Sequence, residues 1–481
     1  MFNNPLLQRY RFSQLRPKQI GIYGFIYVAI VSIILLSNYT IFTTLKPLLF
    51  GQVELPFTLS QAVFYQFLGL QVIILWVWAS YNSGTSLTRE ILNKSYFFFK
   101  LLPITALQKA FGVLLGTNLI AYTFAGLNVV MLVLFAYLGK IKPIRFSYYL
   151  LGIVAIAGVL NTLTLLLSIN PNAKSRRRFG TLIIIGGAIW MIMTIMGILF
   201  ASGRVRARNV EDIVVDFFSL KLPGIPLFSL MLFYFTGWIL IGIMRKFRYE
   251  RESLFTPLGS LLFTLSFEVM TTGVFWSYLP LKSSLYGHRI LCFWILLLIN
   301  MGTLKHVGRY FEAIRRIRER STSTLLILLR FFRHTTLCWG ICLFGIWTAF
   351  FVGLSSMTSL SVSEMLFPLV NLFSFYLFFM VLLEFFVLYR HLHLSIKVFL
   401  IFIAVFAVFF PMSLSRVLED RLVYLHSVMG YMANLITPFL LQTGNAAVQW
   451  RVFLINLVGC LVPFTVIVRK YLSFVKLRER M

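Results

Sequence analysis

The stretch Ile20–Phe42, IGIYGFIYVAIVSIILLSNYTIF, contains no Asp, Glu, Lys, Arg or His. As a helix rising 1.5 Å per residue it is long enough to cross the roughly 30 Å hydrocarbon core of a bilayer. It exceeds the ~7–15-residue apolar core of a secretory signal, so it is expected to remain in the membrane as a first span. The segment before it, Met1–Gln19, is polar and carries Arg9, Arg11, Arg16 and Lys18.

Runs of the same kind recur along the chain. In the first half they are Leu59–Ser80, Phe111–Leu138, Tyr148–Ile169, Thr181–Ala201 and Ile225–Met244. In the second they are Leu258–Leu279, Leu285–Leu304, Thr335–Leu354, Met365–Tyr389, Val398–Leu414 and Val452–Val468. Each has at least the ~17 residues a span needs. The composition agrees: 59% of residues are hydrophobic and 12% charged, against about 25% charged in soluble domains. A soluble fold could not cover its surface with so little charge, whereas lipid accepts apolar side chains facing outward.

A net charge of +29 raises the question of nucleic acid. The Lys and Arg residues argue against it, because they sit in short clusters between apolar runs and form no continuous basic face. With the N-terminus in the cytoplasm and sides alternating, most of the 44 Lys and Arg fall on the inner face, as the positive-inside rule requires. The sequence thus predicts an all-α polytopic membrane protein with about twelve spans and both termini cytoplasmic. A plasma membrane, the inner membrane of a bacterium, is the expected location.

The spans divide into two parallel sets of six with similar plans. Residues 1–19 form a cytoplasmic amphipathic helix, 20–244 the first membrane half, 245–257 a cytoplasmic linker, 258–468 the second half and 469–481 a basic tail. In each half the longest outer segment precedes the last span: Ser202–Gly224, then Ser415–Arg451. The apolar stretch Val428–Leu441 is too short to cross and reads as an outer-leaflet helical hairpin.

Catalytic motifs are missing. The sequence has no G-x-x-x-x-G-K-[ST], no H-E-x-x-H, no G-x-S-x-G and no C-x-x-C, so neither ATP hydrolysis, metal hydrolysis nor a cofactor is expected on this chain. Of the four cysteines, Cys338 and Cys342 lie one helical turn apart in an apolar run and read as packing residues.

Three inner segments have more character. At the N-terminus, Asn4 suits an N-cap and Pro5 the first helical position, followed by Leu6, Leu7 and Tyr10 on one stripe. After the second span comes Ser86-Leu87-Thr88-Arg89-Glu90-Ile91-Leu92. It leads to Phe99-Lys100-Leu101-Leu102-Pro103-Ile104-Thr105-Ala106-Leu107-Gln108-Lys109 and then Phe111-Gly112. In the second half, Lys305–His334 includes Arg315, Arg316 and Arg318. Either these basic segments hold anionic lipid headgroups, at about 1 kcal/mol per residue near the surface, or they act as levers at the inner surface.

Through these residues the chain resembles the permease subunits of ABC-2-type transporters. Those proteins open on a short helix before the first span. After the second span they carry an acidic stretch, then an apolar-Pro-apolar-polar turn, with a Lys and a Gly opening the third. The resemblance covers the first ~140 residues and extends to the second half by topology. It implies an exporter powered by a separate ABC ATPase subunit acting as a dimer. Coupling to that ATPase is then expected at Arg89, Glu90, Lys100, Pro103 and Lys109, with a second docking surface at Arg315, Arg316 and Arg318.

One acid, Glu268, falls at mid-membrane. A charged residue there costs at least ~2.5–3.5 kcal/mol on insertion scales, so it must face the bundle, be protonated or meet a partner. Asn118, Asn128, Asn161, Asn300 and Asn456 are candidate partners within spans. Glu268 also keeps open a secondary transporter, which commonly has two six-span halves. Two more function classes stay open: a membrane-embedded transferase and a non-transporting assembly subunit.

Overall fold

In the computed structural model the described residues are 4–45, 58–92, 101–169, 214–249, 253–276 and 336–355, with scattered positions between 292 and 469. They are mostly helical. Among the described residues, five helices are long and apolar enough to cross a membrane: Pro17–Thr43, Leu59–Thr88, Leu119–Leu138, Pro143–Ser168 and Gly224–Arg248. The expected spans Thr181–Ala201 and Val398–Leu414 lie outside the described residues, as does most of Leu285–Leu304 and Met365–Tyr389.

The chain separates into two compact units. One comprises Met1–Val215 with Lys221–Glu250; the other comprises Asp216–Leu220 with Arg251–Met481.

In the first unit, α1 (Pro5–Gln14) starts as the sequence predicts: the Asn4 side chain accepts from the Leu6 N–H, and Pro5 has no N–H to leave unsatisfied. The first span, α2 (Pro17–Thr40), runs on through a π-helical turn, Ile41–Leu45. Among its residues only Asn38 is buried, where its amide meets Gln66 at 2.7 Å.

The second span is a long rod made of α3 (Leu59–Val72), a π-helical segment (Ile73–Trp78) and α4 (Ala79–Leu92). It begins at a capping box between Thr58 and Gln61. The expected end at Ser80 is corrected: the helix continues to Leu92. Several of its polar residues find partners inside. Thr85 donates to the Tyr81 carbonyl, Ser86 to that of Ser83 and Ser80 to Asn161.

The apolar run Phe111–Leu138 reads in sequence as one span. The structure corrects this: it is broken between α5 (Ala106–Gly116) and α6 (Leu119–Leu138). Two side chains hold the break. The Asn118 amide donates to the Leu114 carbonyl at 2.9 Å and to Ser83 Oγ at 2.7 Å, and the Thr117 hydroxyl donates to the Val113 carbonyl. Side-chain groups that bond backbone carbonyls in this way compete with continued helix.

Lys140 at φ 50° makes the tight turn into α7 (Pro143–Ser168), which starts five residues before the predicted Tyr148 because Pro143 is accommodated at its first turn. The last span of this unit, α8 (Gly224–Arg248), ends on Arg245, Lys246 and Arg248, cations suited to a helix C-terminus.

Before α8 lies the one departure from an all-α plan among the described residues, a two-stranded ribbon of β1 (Val214–Phe217) and β2 (Leu220–Pro223). Phe218 and Ser219 both have positive φ, the geometry of a two-residue hairpin turn. The Phe218 N–H donates to the Gly273 carbonyl at 3.0 Å. A side chain at Gly273 would meet the Phe217 ring at 2.5 Å, so only glycine allows this approach.

The second unit is described most fully in α9 (Pro257–Phe275) and α10 (Thr336–Ser355). Trp339 Nε1 donates to Ser260 Oγ at 2.7 Å across the two. Cys338 is half-buried and Cys342 exposed.

Candidate functional site

At one end of the first unit, five elements converge on a single apolar cluster. Leu6 and Tyr10 of α1, Leu87 of α4, Val113 and Leu114 of α5, Leu165 of α7 and Ile243 of α8 are all buried in it. The turn bearing Pro103 adds Leu102 and Ile104. That turn is closed by a second capping box, Thr105 with Gln108.

Helix α1 is clasped to α5 at both ends. Asn4 Nδ2 donates to the Gln108 carbonyl at 2.6 Å, and Gln14 Nε2 donates to the Thr117 carbonyl at 2.8 Å. Ascending residue pairs, 4 with 108 and 14 with 117, mean that the two helices run parallel. Between the two bonds the backbones close up over glycines. A side-chain carbon at Gly112 would lie 2.8 Å from Asn4 Nδ2 and 3.0 Å from Leu6 Cβ; one at Gly116 would lie 2.5 Å from the Tyr10 ring. Small residues four apart are what lets helices approach in this way.

The charged residues singled out by sequence are used internally here. Arg9 grips the Glu90 carboxylate with two contacts, at 2.9 and 3.1 Å. Its side chain is 50% exposed and that of Glu90 12%. Lys109 is only 7% exposed, and burial lowers its pKa from the ordinary lysine value. Tyr10 is raised far above a normal phenol, chiefly by burial and then by the Glu90 charge, with Arg9 partly opposing. It therefore stays neutral beneath the ion pair. Pro103 is exposed in its turn. Arg89 belongs to α4, but its side chain is outside the described set; Lys100, Arg315, Arg316 and Arg318 lie outside the described residues.

Away from this end a ladder of neutral hydrogen bonds runs through the spans. Gln61 donates to the Gly139 carbonyl, Asn128 donates to Gln71 Oε1 at 2.7 Å, and Asn118 donates to Ser83. Descending partners against ascending ones make α3–α4 and α6 antiparallel. From Gln61 to Ser83 the ladder covers about 33 Å at 1.5 Å per residue, the depth of a bilayer core. On an unbroken α-helix Ser83 would be turned about 120° from Gln71, at 100° per residue. The wider π-helical segment between them takes up part of that rotation. Trp76, within the segment, donates to the Ile153 carbonyl of α7 at 3.0 Å, and Ser80 donates to Asn161 of the same helix at 2.8 Å.

In the second unit Glu268 is 2% exposed. The Cys292 thiol lies beside its carboxyl, and Thr271 Oγ1 lies 3.4 Å from the same sulfur. The asparagines considered as its partners divide as follows. Asn118, Asn128 and Asn161 bond Ser83, Gln71 and Ser80 of the first unit, while Asn300 and Asn456 lie outside the described residues. Sequence reasoning assigns Arg9 to the headgroups and misses Gly116, Gln14 and the Asn4–Gln108 bond. The Gly112/Gly116 spacing and the Thr105/Gln108 capping pair are the signals that could have found them.

Compared with protein families, characterised proteins and solved structures, the chain matches none.

Proposed function

We propose that this chain is the membrane-spanning permease of an ABC-2-like exporter, driven by a separate ATPase subunit acting as a dimer. The observation that carries the reading is the convergence of α1, the Pro103 turn and α5 on the ends of α4, α7 and α8. A motor that displaced the Pro103 turn would move three span ends as one body, because the clasp removes slack between them. On this reading that end faces the cytoplasm. Glu90 and Lys109 keep the lever rigid, and the exposed Leu101, Pro103 and Leu107 meet the ATPase. Arg315, Arg316 and Arg318 supply the second docking surface, in keeping with the two-half plan of the sequence.

A second reading, a secondary transporter, rests on the buried Glu268. The two are separated by isolating the tagged chain from its native membrane. The exporter reading expects a P-loop ATPase to co-purify, and expects Arg315→Glu, Arg316→Glu and Arg318→Glu together to release it while leaving insertion intact. Absence of any ATPase, with transport driven by an ion gradient, would favour the second reading.

A further inference from the structure

The clasp fixes where the outer face of α1 must lie. Because α1 runs parallel to α5, and α5 leads into the span α6, the C-terminal end of α1 is its membrane-proximal end. The next residues, Arg16 and Pro17, open the span α2. The elbow between α1 and α2 is closed by Gln19, whose backbone N–H donates to the Arg16 carbonyl. Turned to donate, its side-chain amide reaches the carbonyls of Ser13 and Gln14. The end of α1 is thus held at the level where two spans begin, which is the headgroup layer of a bilayer.

At that level, within residues 11–18, the chain carries Arg11, Phe12, Arg16 and Lys18. Phe12 is 78% exposed, and all three basic residues are exposed. Arg9, the remaining cation of the segment, is committed to Glu90. Arg11, Arg16 and Lys18 make no ion pair or hydrogen bond through their side chains with the described residues. An aromatic ring beside unpaired cations, fixed at the mouth of two spans, has the chemistry of an interfacial anchor. The ring enters the acyl margin and the cations meet phosphates.

We propose that Arg11, Phe12, Arg16 and Lys18 form a docking patch for the surface of an anionic lipid bilayer. The proposal rests on the chain spanning a membrane and does not depend on the ATPase partnership. Each basic residue near an anionic surface contributes about a fivefold preference, so the three together favour anionic over zwitterionic lipid on the order of a hundredfold.

The test replaces Phe12 with p-benzoylphenylalanine in the full chain, reconstituted in nanodiscs of phosphatidylcholine with phosphatidylglycerol. After irradiation, the adducts at position 12 are identified by mass spectrometry. The expected result is phosphatidylglycerol adducts far above the bulk ratio, falling to that ratio in Arg11→Gln/Arg16→Gln/Lys18→Gln. An unchanged thermal midpoint in pure phosphatidylcholine shows that the triple variant is folded. If it is not, the single variants Arg16→Gln and Lys18→Gln are expected to lower the enrichment about fivefold each. Adducts at the bulk ratio in the unsubstituted background would overturn the proposal, as would enrichment that survives the triple variant. Adducts to protein would overturn it too, making the patch a protein interface.

Discussion

The first unit holds its helices together in two different ways. Through the spans, Gln71–Asn128, Ser80–Asn161 and Ser83–Asn118 are neutral, buried pairs. At the end of the bundle, the α1 clasp combines a half-exposed ion pair, two amide–carbonyl bonds and close packing over Gly112 and Gly116. Neutral pairs in lipid average roughly 0.6 kcal/mol each, but there is no water there to replace a lost partner. The clasp is partly exposed at the Arg9 side chain, so its ion pair can be exchanged for solvent. The ladder is therefore suited to keeping α3, α4, α6 and α7 one body, and the clasp to passing a displacement into that body or releasing it.

The largest effect is expected from the glycines. Gly116→Leu drives a side chain into the Tyr10 ring, and overpacking of this kind costs about 1–3 kcal/mol. Helix α1 should leave its site and become open to protease near Gln8, while the spans remain folded. If α1 stays protected, the close approach over Gly116 does not hold it, and the clasp loses its distinction from the ladder.

Glu268 extends the comparison to the second unit, where a carboxyl takes the place of the amides. Glu268→Leu leaves the Cys292 thiol without that partner and is expected to cost about 1–3 kcal/mol. Glu268→Gln keeps the shape and most of the hydrogen bonding and should fold normally. Melting of both variants in detergent checks this. Equal loss in both would mean that the charge, not the hydrogen bond, matters to the fold.

Smaller again is the ladder itself. Asn128→Leu should cost about 1–2 kcal/mol by stranding Gln71, and the double variant Gln71→Leu/Asn128→Leu should recover part of it. Additive losses in a double-mutant cycle would show that the pair does not couple. The least is expected from Arg9→Ala, under about 1 kcal/mol and fading with added salt. A large, salt-independent loss would show that the ion pair is shielded and the clasp closer to the ladder in kind.

Hydropathy made the span positions legible because apolar length is a direct requirement of the bilayer. Pro17–Thr43 and Gly224–Arg248 cover the runs Ile20–Phe42 and Ile225–Met244 with small shifts at their ends. Polar continuation was not legible. Tyr81–Leu92 is rich in Ser and Thr and falls outside the apolar run Leu59–Ser80, yet hydroxyls within it are satisfied inside. The break at Thr117–Asn118 sits in a continuous apolar run, and only the Asn118 side chain marks it.

For the candidate site, sequence located Glu90 and Lys109 but not what they do. The partner of Glu90 is 81 residues away, and the burial of Lys109 arises only in the folded packing of the unit. The π-helical segment at Ile73–Trp78 has no sequence mark at all, since its residues would suit an ordinary helix.

The most direct measurement is ATP hydrolysis and transport by the complex isolated from the native membrane, compared between the unsubstituted chain and Gly116→Leu. The account predicts that an ATPase co-purifies with both. Hydrolysis should persist in the variant while transport falls at least about tenfold, because the motor then turns against a lever that is no longer clasped. Isolation of the intact chain with no ATPase, or transport unchanged when α1 is demonstrably detached, would contradict it.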